Sequence, residues 1–421
     1  MSNFKLGEYY YINKEGLDPK LSPKEQFYYY SLPAFDLGLG VQLSFGSTID
    51  SNKFLVQQET VLISKLNPRI KRVMLVRNDG KYKSISSTEF VNLVPKQNAC
   101  VDFLLYYLNQ DSLFTKLEAE AVGTTNSHVR FKPDLLLKIV GKFPPLPQQH
   151  KIAKILTTID NLIEKTESLI AKYQSIKQGM MHDLFTKGVD AKGKLRPTQS
   201  EAPELYKQSE LGWIPKEWEV ERLGVFTTIV RGSSPRPKGD PRYYGGSVPR
   251  LMVEDVTRDG KFVLPKVDFL TEAGAALSRP MPSGSLTLVC SGTVGIPAFL
   301  AVDACIHDGF LGFRRIGDSC LSDYLYYQFV LLKGQMDTIA THGGIFTNLT
   351  TGIVKDLQVA LPPVSEQKKI AEMLSICEKR VEAEITQLAK YKNLKTALMQ
   401  DLLTGKVQVS PDQEDKELAH A

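Results

Sequence analysis

Five basic residues fall within the twenty positions of RGSSPRPKGDPRYYGGSVPR: Arg231, Arg236, Lys238, Arg242 and Arg250, with Tyr243 and Tyr244 among them. Basic groups spread along a loop rich in Gly, Pro and Ser can neutralise phosphates, and Arg or Lys can also bond guanine edges in a DNA major groove. The tyrosine rings can pack on sugars or bases. A second stretch, THGGIFTN (Thr341 to Asn348), places His342, Thr347 and Asn348 around paired glycines that permit close backbone approach. At the matching place in the first half of the chain stands VGTTNSHVR (Val122 to Arg130), which offers Thr124, Asn126, His128 and Arg130. Polar loops at matching positions but with unlike sequences suit two readers of different targets. Gln57 beside Gln58, and Lys81 near Lys83, are further candidates, since Gln can bond adenine edges.

Residues for bond-making chemistry are missing. No GxxxxGK[ST], HExxH, EF-hand loop, GxGxxG or Asn/Asp-Pro-Pro-Tyr/Phe string occurs, and the six histidines have no ligand spacing. Cys290-Ser291-Gly292 lacks the GxSxG context of a nucleophile and reads as a strand-end turn. Pro133-Asp134 lacks the downstream acidic-x-Lys of a nuclease core. The expectation is a chain that binds and does not catalyse, with no metal or cofactor of its own.

The elements that must hold these loops are announced by a repeat. PPLPQQHKIAKIL (Pro144 to Leu156) returns as PPVSEQKKIAEML (Pro362 to Leu374), an offset of 218, and roughly seventeen of the 47 positions from Phe143 and Leu361 onward are identical. A weaker echo extends upstream: LLYY (Leu104 to Tyr107) meets YLYY (Tyr324 to Tyr327), STEFVNL meets HDGFLGF, and TVLIS meets LTLVC. The chain is therefore two related units of about 200 residues, not a solenoid.

After each Pro-Pro pair, apolar residues recur at three-four spacing: Ile152, Leu156, Ile159, Ile163, then Ile370, Leu374, Cys377, Val381. This predicts two helices of about 38 residues, each roughly 57 Å long. Pro147 suits a first turn and Ser365 an N-cap. The long stripe requires a partner helix, which the other copy supplies. A short connection favours an antiparallel coiled coil, with a globular unit at each end and an internal pseudo-two-fold axis.

The fold expected is α+β. Two mixed α/β globular domains (1–143 and 213–360) are separated by long helices (144–187 and 361–405), with a linker at 188–212 and a charged tail at 406–421. Shorter helices are expected at Val101–Asn109 and Leu321–Lys333. Net charge is +5, so any phosphate-binding face must be a local concentration of charge. Five scattered cysteines lack CxxC spacing, which suits reduced thiols and a cytoplasmic location. No membrane span is expected.

YKQSELGWIPKEWEVERLG (Tyr206 to Gly224), followed by LPPVSEQKKIAEML, resembles the specificity subunits of type I restriction-modification systems. VLISKLNPRIKRV and SSTEF extend that resemblance to the first unit, although an opening like WIPKEWEVERLG is not visible there. The resemblance implies two target-recognition domains, each reading one half of an asymmetric bipartite DNA site. It implies long helices that set the spacer and dock two methyltransferase subunits, with two restriction/translocase subunits able to join. S-adenosylmethionine, ATP and Mg would then be held by those partners. The alternative is a coiled-coil adaptor between proteins that reads no DNA sequence.

Overall fold

The computed structural model describes residues 3–57, 59–123, 128–343, 346–411 and 413. It divides into two compact units, Met1–Ser168 with Ile385–Ala421, and Leu169–Glu384. Each unit combines one globular part, the leading portion of the long helix that follows it, and the trailing portion of the other long helix.

The long helices span Leu146–Thr186 (41 residues) and Val364–Leu403 (40 residues), slightly beyond the expected length. Each starts directly after its Pro-Pro pair, because the second proline's carbonyl takes the first helical bonds. Pro145 O accepts from the N–H groups of Gln148 and Gln149, and Pro363 O from those of Glu366 and Gln367. Ser365 is thus a helical residue and not the N-cap expected of it.

Within each unit the two helices run antiparallel. In the first unit Asp160 pairs with Lys395 at 2.5 Å, and Glu167, further along, pairs with the earlier Lys392 at 2.8 Å. In the second, the Arg380 guanidinium lies over the Tyr173 ring at 5.6 Å, and Lys177, further along, pairs with the earlier Glu378 at 2.5 Å.

Each globular part has its own sheet of corresponding strand order. In the first unit its strand order is Tyr10–Asn13, Phe90–Pro95, Glu59–Ser64, Val73–Arg77. In the second it is Thr227–Arg231, Phe310–Ile316, Leu286–Val289, Pro297–Leu300, with Phe262–Val263 added at the edge. The sequence echoes map onto these strands, whose apolar residues are largely buried.

Against this sheet packs the helix carrying the Tyr-Tyr pair, Val101–Leu108 in the first unit and Ser322–Ile339 in the second. The trailing helix ends enter the same cores. Leu402 and Leu403 join the first, and Met181, Leu184 and Phe185 the second.

The further sheets differ. The first unit orders Gly16–Leu17, Lys53–Val56, Lys83–Ser87, Gln26–Tyr30, Gln42–Phe45; the second orders Asp268–Leu270, Tyr244–Leu251, Ala304–Ile306, Pro280–Met281.

Two boundaries change. The opening of the first unit does have a counterpart. Asn3–Lys5 pairs with Val140–Lys142 as Glu219–Arg222 pairs with Gln358–Leu361, and each is followed by a buried leucine and a glycine, Leu6-Gly7 and Leu223-Gly224. The segment expected as a linker is also ordered. Tyr206–Ser209 and Gly212–Pro215 form a hairpin. Arg196 and the Val189 N–H both reach the buried Glu366 carboxylate, at 2.5 and 2.8 Å. Gly188 (φ +62) lets the chain pass, since a Cβ there would lie 2.1 Å from Glu366 Oε1 and 2.4 Å from the Trp218 ring.

Candidate nucleic-acid interface

A fully buried glutamine joins each globular part to its helix. Gln149 Oε1 accepts from Cys100 N–H (3.0 Å) while Nε2 donates to Pro144 O (2.9 Å). Its repeat partner Gln367 accepts from Leu321 N–H and donates to Ser319 O and Pro362 O, each at 2.8 Å. Cys100 and Leu321 are the N-cap residues of the Tyr-Tyr helices, so one side chain satisfies an orphan helix-end group and the Pro-Pro carbonyl together.

About three helical turns further on, the matched carboxylates Asp160 and Glu378 each accept from a tyrosine hydroxyl. Tyr106 reaches Asp160 and Tyr327 reaches Glu378, both at 2.9 Å, and each carboxylate also takes its cross-helix lysine. Burial, with the carboxylate beside it, raises the Tyr327 hydroxyl well above its ordinary value. Lys261 extends this network in the second unit. Its ammonium sits against the Tyr326 and Tyr327 rings (4.7 and 4.6 Å), pairs with Asp323 at 3.1 Å, and is nearly buried. These glutamine and carboxylate roles were not read from the sequence, although both pairs stand at the repeat offset.

On this frame the basic loop of the second unit joins the frame sheet's edge strand to the variable sheet. It is fastened at several points. Gly232 N–H bonds Phe310 O, Ser233 N–H bonds Ile306 O, Ser278 Oγ bonds Ser233 O, and Tyr244 Oη bonds Pro235 O. Only glycine fits at 232, because a Cβ would lie 1.9 Å from His307 O.

Asp308 gathers the loop's polar groups. Its Oδ1 accepts from Ser234 Oγ (2.5 Å), its carbonyl accepts from Arg231 Nε (3.0 Å), and its Oδ2 lies 3.9 Å from Arg236 Nη2. Partial burial pushes this carboxyl upward, but the Ser234 hydroxyl bond and its other partners outweigh that and hold it below the usual carboxylate value. It is charged at neutral pH. His307, beside it, is held below the ordinary histidine value by burial and by Arg250; its Nδ1 accepts from Gly309 N–H, so the ring is neutral.

Of the residues expected to bind DNA, Arg231, Arg236 and Lys238 are exposed on this loop, and Tyr243 is half-buried beneath Arg242 (5.3 Å from the ring). Arg250 is corrected: it is buried, pairs with Asp268 at 2.5 Å, donates to Ser234 Oγ at 2.6 Å and packs on the Tyr244 ring. A guanidinium so enclosed supports the loop and cannot meet a duplex.

Arg130 is half-buried and held in a two-bonded fork by Glu89 (2.9 and 3.0 Å). Gln57 is exposed, accepts from Tyr11 Oη at 3.0 Å, and lines a cleft with Glu59 and Arg77. Lys81 is exposed over the Tyr82 ring, which packs edge-on against Tyr28. The backbone of Asn348 bridges to Ser291, and the Thr341–Gly343 and Phe346–Asn348 strands pair through His342 and Thr347. The side chains of His342 and Thr347, and the whole of Thr124 and Asn126, lie outside the described residues.

The family model for the type I restriction modification DNA specificity domain matches residues 2–173 and again 215–393. The chain belongs to that family. As a specificity subunit it carries two target-recognition domains, one per unit. It is similar to the type I restriction enzyme MjaVIII specificity subunit of Methanocaldococcus jannaschii, at 28% identity over 78% of this chain and 75% of the relative. Its fold is similar to a chain solved in work on complex assembly and conformational transition of the type I R-M system (TM-score 0.56, 19% identity, 96% of this chain and 98% of that one). It is also similar to the S subunit of M. genitalium (TM-score 0.56, 14% identity, 96% of each). Among the described residues, no group of three or more His, Cys, Asp or Glu is disposed to hold a metal, and no helix is long and apolar enough to cross a membrane.

Proposed function

We propose that each target-recognition domain of this specificity subunit reads one half of an asymmetric, bipartite sequence in double-stranded DNA. The observation that carries this reading is the pairing of a common frame with unlike loops. The frame sheet and the buried glutamine are the same in both units, while the further sheets and the polar loops differ. A duplicated support with divergent tips is what two independent readers require, whereas an adaptor would have no need of divergent polar loops.

In this reading the chain supplies recognition and no bond-making step. Two methyltransferase subunits, and restriction subunits where present, bring S-adenosylmethionine, ATP and Mg. The long helices present docking surface to the methyltransferases, and their length sets the spacer between half-sites. The protein works in the cytoplasm, where its DNA is.

The test replaces residues 1–143 with the equivalent segment of a relative and maps the methylated adenines in host DNA. One half-site changes and the other stays. A change in both, or in neither, rejects independent reading. Adding four residues within the first long helix, about 6 Å, lengthens the spacer and leaves both half-sites intact.

A further inference from the structure

A run of alternating charge links the interior of the second target-recognition domain to its most exposed arginine. Asp268 holds Arg250 at 2.5 Å, Arg250 holds Ser234 Oγ at 2.6 Å, and Ser234 holds Asp308 at 2.5 Å. Asp308 then stands 3.9 Å from Arg236, whose side chain is 74% exposed. The inner members are held in place, because Arg250 is buried and the loop backbone is bonded to Ile306 and Phe310. Arg236 is the most exposed member of the run, and the half-exposed Asp308 is held by its Ser234 bond.

A guanidinium has five N–H donors in a plane. A carboxylate on one side biases the orientation of that plane and leaves the opposite fork open. It also repels phosphate, so an arginine with a fixed carboxylate neighbour is a poor backbone clamp. What it still matches is a pair of neutral acceptors side by side. In the major groove that pair is guanine O6 and N7.

We infer that Arg236, set by Asp308 through Ser234 and the buried Arg250, reads a guanine base edge in the half-site taken by the second unit. Arg236 is the base-contacting residue; Asp308, Ser234 and Arg250 are positioning residues. This rests on the reading of the chain as a two-part DNA reader.

The test uses the full chain assembled with its methyltransferase and duplexes carrying the mapped site. Each guanine of the second unit's half-site is replaced in turn by 7-deazaguanine, which lacks the N7 acceptor. Wild-type binding weakens about tenfold at one position. Arg236→Ala weakens binding to the natural site by a similar factor and is indifferent to the substitution. Asp308→Asn and Ser234→Ala both reduce discrimination at that position alone, raise affinity for unrelated DNA, and leave the first unit's half-site untouched. Thermal melts followed by circular dichroism confirm that each variant folds.

If Arg236→Ala keeps the wild-type sensitivity to 7-deazaguanine, or weakens all sequences equally, the inference is overturned. A half-site without guanine overturns it as well. If the wild-type assembly protects no bipartite sequence, the underlying reading fails instead, and the two failures are distinct.

Discussion

The two units place a carboxylate beside an arginine just upstream of the same buried phenylalanine, and use it differently. In the first, Glu89 precedes Phe90 and takes Arg130 in a full fork, leaving that guanidinium half-buried. In the second, Asp308 stands two positions before Phe310, is secured by Ser234, and leaves Arg236 exposed. The same strand end thus produces a closed pair in one domain and an open one in the other. What has been kept is the support beneath: the sheet order, the glutamine at the helix start, and the tyrosine–carboxylate–lysine crossing.

The largest test of that contrast is at Glu366, which has no acidic counterpart because the repeat places Gln148 there. Glu366→Ala strands the nearly buried Arg196 and the Val189 N–H. It should cost the second unit about 3–5 kcal/mol, whereas Gln148→Ala should cost the first less than about 1 kcal/mol. Denaturant unfolding of the full chain, followed separately in each unit, gives the difference. Equal losses would mean that the ordered linker is not what distinguishes them.

Replacing the buried glutamines tests the opposite point. Gln149→Leu and Gln367→Leu each leave a helix-end N–H and a proline carbonyl unpaired, so each should destabilise its own unit by about 2–4 kcal/mol. A marked inequality would break the claim of a shared frame.

The cross-helix carboxylates sharpen it further. Glu378 and Lys177 are 16% and 21% exposed, against 35% and 32% for Asp160 and Lys395. Glu378→Gln should therefore cost about 1–2 kcal/mol and Asp160→Asn about half that.

The smallest effect is kinetic. Burial pushes the thiols of Cys100 and Cys290 up to about 11 and that of Cys320 up to about 12. At pH 8, three units or more below those values, they are protonated and unreactive until the chain opens. Iodoacetamide should label half-buried Cys377 first. In Glu366→Ala, labelling of Cys320 should accelerate while that of Cys100 does not.

Much of the frame was legible in the sequence. Proline pairs placed both helix starts to within two or three residues, three-four spacing fixed the apolar stripes, and short β-branched runs marked the corresponding sheets. Ser365 was misread because the carbonyl of the preceding Pro363 already takes the first helical bonds, which a local residue preference does not reveal. The Leu6-Gly7 opening was missed because only two residues carry it, too few to stand out without the strand pairing that follows from it.

The candidate interface was legible only in outline. A basic loop announces itself by composition, but Arg250 and Arg236 look alike in a string of letters. What separates them is that Arg250 belongs to a strand whose neighbour brings Asp268 against it, while Arg236 stands at the loop's open edge. Asp308 was passed over because its partners lie more than seventy residues away.

By itself the sequence determined that there are two copies, where their helices begin, and that each copy carries a polar loop of its own. Those properties depend on neighbours along the chain: backbone restriction by proline, and apolar periodicity over a few turns. Only the tertiary structure decided which charges are spent internally and which face outward. Burial and ion pairing depend on distances between strands far apart in the chain, and no local pattern encodes them.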